Sequence, residues 1–305
     1  MHTHPHHNLR VAPLLGAAVL AAFTAVLHAE KPSDSWTQIN EPRAIPLKMK
    51  DHDNHRGVQA SFTLANSLIE YGVVYRACND VEAHNESDLR RAWGQFLPGI
   101  GFNKPNVASW YYNSYIKVLL DDLPMGDYIL QSLTEETVDG TTKVVATWET
   151  PKGKVDLTFA LMPDHTGVFQ ELKIYDTKER IGNVTVDLGG YQWGLSPEDN
   201  RADAFVTPDP SGENNWVLMG NKVREAPDGI GPCALLVLPD ELELVKFGRT
   251  STLEKAVNIE PGQTAIIRWV LWMFPDFSNE KALEYMTTEG PKTRERLLKL
   301  FKANP

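Results

Sequence analysis

Between Lys143 and Tyr175 the chain reads Lys143-Val-Val-Ala-Thr-Trp-Glu149, then Lys154-Val-Asp-Leu-Thr-Phe-Ala-Leu161, then Val168-Phe-Gln-Glu-Leu-Lys-Ile-Tyr175. Thr150-Pro-Lys-Gly153 joins the first two runs, and Pro163-Asp-His-Thr-Gly167 joins the last two. Apolar residues recur at every second position. Val155, Leu157, Phe159 and Leu161 therefore share one face of a strand, with Val168, Leu172 and Ile174 as cross-strand partners. Pro and Gly in the connections supply the bends that close antiparallel neighbours. The pattern predicts a β-meander, and the rest of the chain is organised around it.

Upstream, Val58–Leu64, Ile69–Tyr75 and Trp110–Leu120 have strand character, whereas Lys31–Arg56 is polar and carries Pro42 and Pro46. Phe96–Ser109 has loop composition, and Asn85–Gly94 suits a short capped helix. Downstream, strands are expected at Asn183–Leu188, Tyr191–Leu195, Trp216–Lys222, Cys233–Leu238, Leu242–Phe247 and Ala265–Phe274. Ser196–Asn215 is the longest loop, a kind of segment that often carries function. Only at the end does the period become helical. Ser278 can cap a helix over Asn279–Thr287, and Leu297, Leu298 and Phe301 form an apolar stripe after Gly290-Pro291. About a dozen strands without alternating helices predict an all-β fold: a large antiparallel β-sandwich with a short C-terminal helical segment.

Residues 1–29 have the pattern of a signal peptide. Arg10 precedes the apolar run Val11–Leu27, and Leu27-His-Ala29 offers a small-residue cleavage site. Pro13 interrupts that run, which favours a leader over a membrane anchor. The expectation is an exported protein, periplasmic or extracellular, with residues 30–305 as one sandwich domain and no membrane span after cleavage. Loss of Arg10 leaves 29 basic against 40 acidic residues, a charge of −11. Such an acidic chain does not suit nucleic acid, which needs clustered cations. Cys78 and Cys233 are too few for a disulfide scaffold; they either pair across the sheets or pack separately. The chain has no Gly-rich phosphate loop, Gly-x-Ser-x-Gly elbow, Cys-x-x-Cys or His-Glu-x-x-His.

The order of these features resembles the galactose-mutarotase-like supersandwich. The residues that carry the resemblance are Trp148, Val155-Asp-Leu-Thr-Phe-Ala-Leu-Met-Pro-Asp164, and Ile259-Glu-Pro-Gly-Gln-Thr-Ala-Ile-Ile-Arg-Trp-Val-Leu-Trp272. It spans Trp110 to Phe274 and implies a supersandwich-like fold and a carbohydrate ligand. No mutarotase His/Glu catalytic pair aligns with this sequence, so the resemblance implies no particular reaction.

Arg268 lies inside the apolar run Ala265-Ile-Ile-Arg-Trp-Val-Leu-Trp-Met-Phe274. A guanidinium does not discharge, so there it needs a carboxylate, from the protein or from an acidic ligand. Trp110, Tyr111, Tyr112 and Tyr115, with Tyr191 and Trp193, suit sugar binding, because flat rings cover pyranose C–H groups while O–H and N–H add polar handles. The same rings also suit ordinary core and edge positions. Glu171 and His165 are the candidate acid–base groups for a sugar ring. Against that, Glu171 fits a solvent-facing strand and His165 a turn tip. Asp51-His-Asp-Asn-His55 matches no zinc or EF-hand spacing, so neither metal nor cofactor is expected. The sequence thus predicts a protein that binds or modifies carbohydrate, with an acidic sugar answering Arg268 through epimerase, lyase or hydrolase chemistry. The alternative is a non-catalytic envelope or matrix module that packs against other proteins.

Overall fold

The Lys143–Tyr175 meander forms as its alternation requires and extends one strand further back. The computed structural model describes residues 34–49, 52–78, 99–105, 116–189, 204–206, 215–220, 231–238, 242, 244–246 and 250–302. The strands in chain order are β1 (Trp36–Met49), β2 (His52–Ala65), β3 (Glu70–Cys78), β4 (Gly99–Phe102), β5 (Ile116–Leu120), β6 (Leu123–Pro124), β7 (Leu130–Val138), β8 (Thr141–Thr150) and β9 (Gly153–Leu161). They continue with β10 (Val168–Tyr175), β11 (Ile181–Gly189), β12 (Ala204–Val206), β13 (Asn215–Gly220), β14 (Cys233–Val237), β15 (Leu244–Lys246), β16 (Thr250–Ile259) and β17 (Ala265–Met273). One helix, α1 (Asn279–Lys302), follows.

These strands make two antiparallel sheets. The nine-stranded sheet runs β1-β2-β3-β4-β5-β11-β16-β15, with β6 on β5; the eight-stranded sheet runs β12-β13-β14-β17-β10-β9-β8-β7. Tyr71, Val73, Phe102, Val118 and Val186 of the first pack with Phe159, Leu161, Leu172 and Trp269 of the second. Phe62 and Phe102 meet Phe159 edge-on at 5.2 and 6.2 Å. Burying one such side chain stabilises by roughly 1.5–3 kcal/mol, so this layer dominates folding. A second apolar cluster lies on the far face of the eight-stranded sheet. There Trp216, Leu218, Leu236, Trp272 and Phe274 pack against Ala282, Met286, Leu297 and Phe301 of α1. The architecture is the expected all-β sandwich, and residues from Pro32 onward form one unit. Among the described residues no helix is long and apolar enough to cross a membrane.

Two local expectations are corrected, and two strands join the predicted set. Pro42 and Pro46, which oppose helix, both sit in β1, which among the described strands pairs with β2 alone, and Pro42 falls in the bulge between Asn40 and Arg43. An edge strand can omit an N–H donor where a central one cannot. The glycines of 96–109 suggested a loop, yet β4 forms there because Ile100 and Phe102 point inward and β3 and β5 hold it on both sides. β7 joins the meander through Asp139-Gly140, whose φ values of 50° and 73° make the tight turn. Finally, α1 runs unbroken through Gly290-Pro291. Its apolar face stays in register across that point, and Gly290 lies so near Trp216 that a Cβ would approach the indole to 3.3 Å. The leader, the Asn85–Gly94 helix and the Tyr191–Leu195 strand lie outside the described residues.

Candidate functional site

Strand alternation decides which way Arg268 points. On β17, Ile267, Trp269 and Leu271 enter the core between the sheets, so Arg268, Val270 and Trp272 face the other side. On β10, Leu172 and Ile174 enter the core, and Glu171 faces out with Phe169. Glu171 and Arg268 are direct cross-strand partners. The Arg268 Nε donates to Glu171 Oε2 at 2.7 Å, with the two side chains 11% and 13% exposed. The carboxylate that Arg268 requires is therefore Glu171. Two residues expected to serve a ligand separately are joined to each other.

His165, expected at a turn tip, is buried. Its ring packs on Phe169 and Trp272, with centroids 4.8 and 5.7 Å away. Gly167 N–H donates to Nδ1 at 2.9 Å, so Nε2 carries the proton and donates to Thr293 Oγ1 at 3.0 Å. Burial pushes the imidazole down to about 4, so it is neutral at ordinary pH. Both nitrogens are engaged within the fold, and Phe169 stands between His165 and Glu171 along the sequence of β10. The structure does not bring the two into an acid–base pair.

Trp110, Tyr111, Tyr112, Tyr115, Tyr191 and Trp193 lie outside the described residues, as does the side-chain geometry of Asp51–His55. The strands that their segments adjoin are neighbours, however. β5 begins at Ile116, which pairs with Leu188, the penultimate residue of β11. Cys233 is buried on β14, while the Cys78 side chain is not among those described.

The nine-stranded sheet carries a polar constellation that the sequence did not reveal. Gln59 pairs with Arg76, and Arg76 with Gly99. Ile100 pairs with Ile116, which sets Lys117 beside Gly99, and Lys117 pairs with Asp187. Ala60, Tyr75, Ile100, Val118 and Val186 on these strands are core residues, so the row Gln59–Arg76–Gly99–Lys117–Asp187 faces outward. Arg76 and Asp187 are half-buried and Lys117 is exposed. Gly99 has φ 141°, a conformation that L side chains rarely adopt, and it leaves the middle of the row without a side chain. Glycine inside a strand marks a place where another group approaches the backbone closely. The row combines a planar guanidinium, an ammonium, an amide and a carboxylate, a set able to hold hydroxyl and carboxylate groups. Its only local sequence signal is Gly99-Ile-Gly101 within an otherwise apolar strand.

No protein-family model and no curated protein matches the chain. Among solved structures, it is similar to a proposed kojibiose phosphorylase from the human microbiome, at 10% identity and TM-score 0.43, over 88% of this chain and 37% of that one. It is also similar to a proposed aldose 1-epimerase from Klebsiella pneumoniae subsp. pneumoniae, at 10% identity and TM-score 0.38, over 84% of this chain and 96% of that one. The chain thus spans little more than a third of the phosphorylase.

Proposed function

We propose that the protein is exported and binds or modifies a carbohydrate on the outer face of its nine-stranded sheet. The observation that carries this reading is the row Gln59–Arg76–Gly99–Lys117–Asp187, drawn from four strands and β4 and open at a glycine. Sugars are recognised by planar, multiply bonding side chains held at fixed separations, and a twisted sheet supplies that spacing. Arg76 and Lys117 outnumber Asp187, which favours an acidic sugar. Proton transfer on the ring is assigned to Asp187, the carboxylate of this row. Stacking by Trp110, Tyr112, Tyr191 and Trp193 belongs to the same proposal, because their segments adjoin β5 and β11.

Thermal unfolding against neutral and acidic oligosaccharides tests it. A ligand at a hundred times its dissociation constant adds about 2.7 kcal/mol to the folded state. Acidic glycans are expected to raise the midpoint, and Arg76→Gln or Asp187→Asn to abolish the shift while leaving the unliganded midpoint near its original value. No shift with any glycan would refute the reading. The second reading, a non-catalytic envelope or matrix module, is supported by the contact of Arg268 with Glu171. Retained binding to other exported proteins with no glycan response would favour it.

A further inference from the structure

Helix α1 belongs only to the outer apolar cluster; none of its residues enters the core between the sheets. Three of its polar anchors, moreover, meet a single short turn. Three consecutive residues of the β9–β10 connection each hold one position of the helix. Arg296 Nη1 donates to both carboxylate oxygens of Asp164 at 3.0 Å. His165 Nε2 meets Thr293 Oγ1 at 3.0 Å, and Thr293 in turn donates to Glu289 O at 2.8 Å. Thr166 Oγ1 and the Tyr285 hydroxyl are 3.0 Å apart. The same turn is pinned to the nine-stranded sheet, since Asn66 Nδ2 donates to Met162 O and His165 O, and the Tyr71 hydroxyl donates to Thr166 O. The turn is thus fixed to the sandwich on one side, and the helix hangs from it on the other.

We infer that α1 is a detachable strap keyed by neutral His165, and that protonating this ring releases the helix while the two-sheet core stays folded. The hydrogen bonding gives the reason. Nδ1 accepts from Gly167 N–H at 2.9 Å, so a proton added there confronts a donor and is left with Gly167 O at 3.3 Å as its acceptor. A charged ring would also sit between Phe169 and Trp272 with no carboxylate in hydrogen-bond contact, a costly place for a cation. Facing it from the turn is Asp164; from the helix, Glu289 and Arg296; β10 and β17 contribute only the two aromatic rings. Arg296 opposes the added charge, while Asp164 and Glu289 favour it.

The sign follows from the direction of the shift. The docked ring titrates at about 4, against 6.5 when released, so docking is at full strength above pH 6.5 and weakens as pH falls toward 4. That gap corresponds to about 300-fold weaker docking below pH 4. Local opening of this kind is read by amide exchange, because each segment reports its own opening equilibrium.

The test is exchange on the full chain from pH 7 to pH 4, corrected for intrinsic rates. Amides of 279–302 are expected to lose protection by about 100-fold between pH 7 and pH 4, where the docked ring is half protonated, while those of β3 and β9 keep theirs. His165→Gln, which cannot titrate, is expected to remove most of that pH dependence. Asp164→Asn, which loses the bidentate contact with Arg296, is expected to weaken docking at neutral pH, where His165 is neutral in both variants. Loss of protection in α1 together with β3 and β9, or an unchanged pH response in His165→Gln, would overturn the inference. Should His165→Gln not fold, the titration of the His165 ring in the native chain decides by magnetic resonance. A midpoint near 4 that tracks helix release supports the strap, and one near 6.5 refutes it.

Discussion

Arg268 and Glu171 offer the most direct test of what the sequence singled out. Their side chains are 11% and 13% exposed, and the Nε–Oε2 separation is 2.7 Å. Removing one member of a fully buried pair costs about 3–5 kcal/mol, largely because the other charge is left uncompensated. Slight exposure lets water reach the survivor, so Glu171→Leu and Arg268→Met are each expected to cost about 2–3 kcal/mol. Replacing both restores an apolar outer face beside Phe169 and Val270, and such replacements are often neutral. The double variant is therefore expected within about 1 kcal/mol of the parent, a coupling of about 3–6 kcal/mol in the cycle. Urea unfolding measures it, with slopes compared to verify that all four proteins expose similar surface. A coupling below about 0.5 kcal/mol would refute the reasoning. Glycan binding adds a separate readout. If Arg268→Met folds but loses binding that the parent shows, Arg268 serves a ligand after all.

Other expectations rest on single positions. Gly231 has φ 67°, and a Cβ there would lie 1.8 Å from Phe274 O, so Gly231→Ala should lower stability by more than about 2 kcal/mol, read from the urea midpoint. Pro291 removes one helical hydrogen bond in α1; Pro291→Ala should raise the thermal midpoint, with a gain of up to about 3 kcal/mol, and a drop would show that the proline fits a required bend. Burial opposes the Asp121 charge, but Lys152 and the N–H groups of Asn183 and Gly182 outweigh it and hold the carboxyl below its ordinary 3.8. Its contribution is complete above that pH and is lost as pH falls through the lowered value, so Asp121→Asn should flatten the acid limb of the stability curve.

The meander was legible because its signal is local. Alternation over eight or nine residues fixes the facing of every side chain, and Gly153, with φ 152°, closes the β8–β9 turn where Tyr175 O would lie 2.9 Å from a Cβ. Helix α1 was half legible. Ser278 Oγ accepts from Lys281 N–H as its cap composition implied, but continuity past Pro291 depends on the outer cluster and on Trp216, 75 residues upstream. β4 was hidden for the same reason: its glycines argue locally for a loop, and only β3 and β5 make it a strand.

The candidate site was illegible for a deeper reason. A cross-strand row takes one residue from each strand, so neighbours in space are separated by whole hairpins in sequence. Arg76, Lys117 and Asp187 each look like a routine solvent-facing charge on an alternating strand, and nothing in their own segments distinguishes them. Arg268 stood out because its segment is apolar on both faces, yet that same burial required a partner within the fold. An isolated charge conspicuous in sequence is one whose surroundings are dry, and a dry charge survives folding only when the protein itself answers it. Charges that serve a ligand need access to water before the ligand arrives. Arg76 and Asp187 are half-buried and belong to one cross-strand row about a strand glycine, so the proposed reading starts the search for a ligand on the nine-stranded sheet rather than at Arg268.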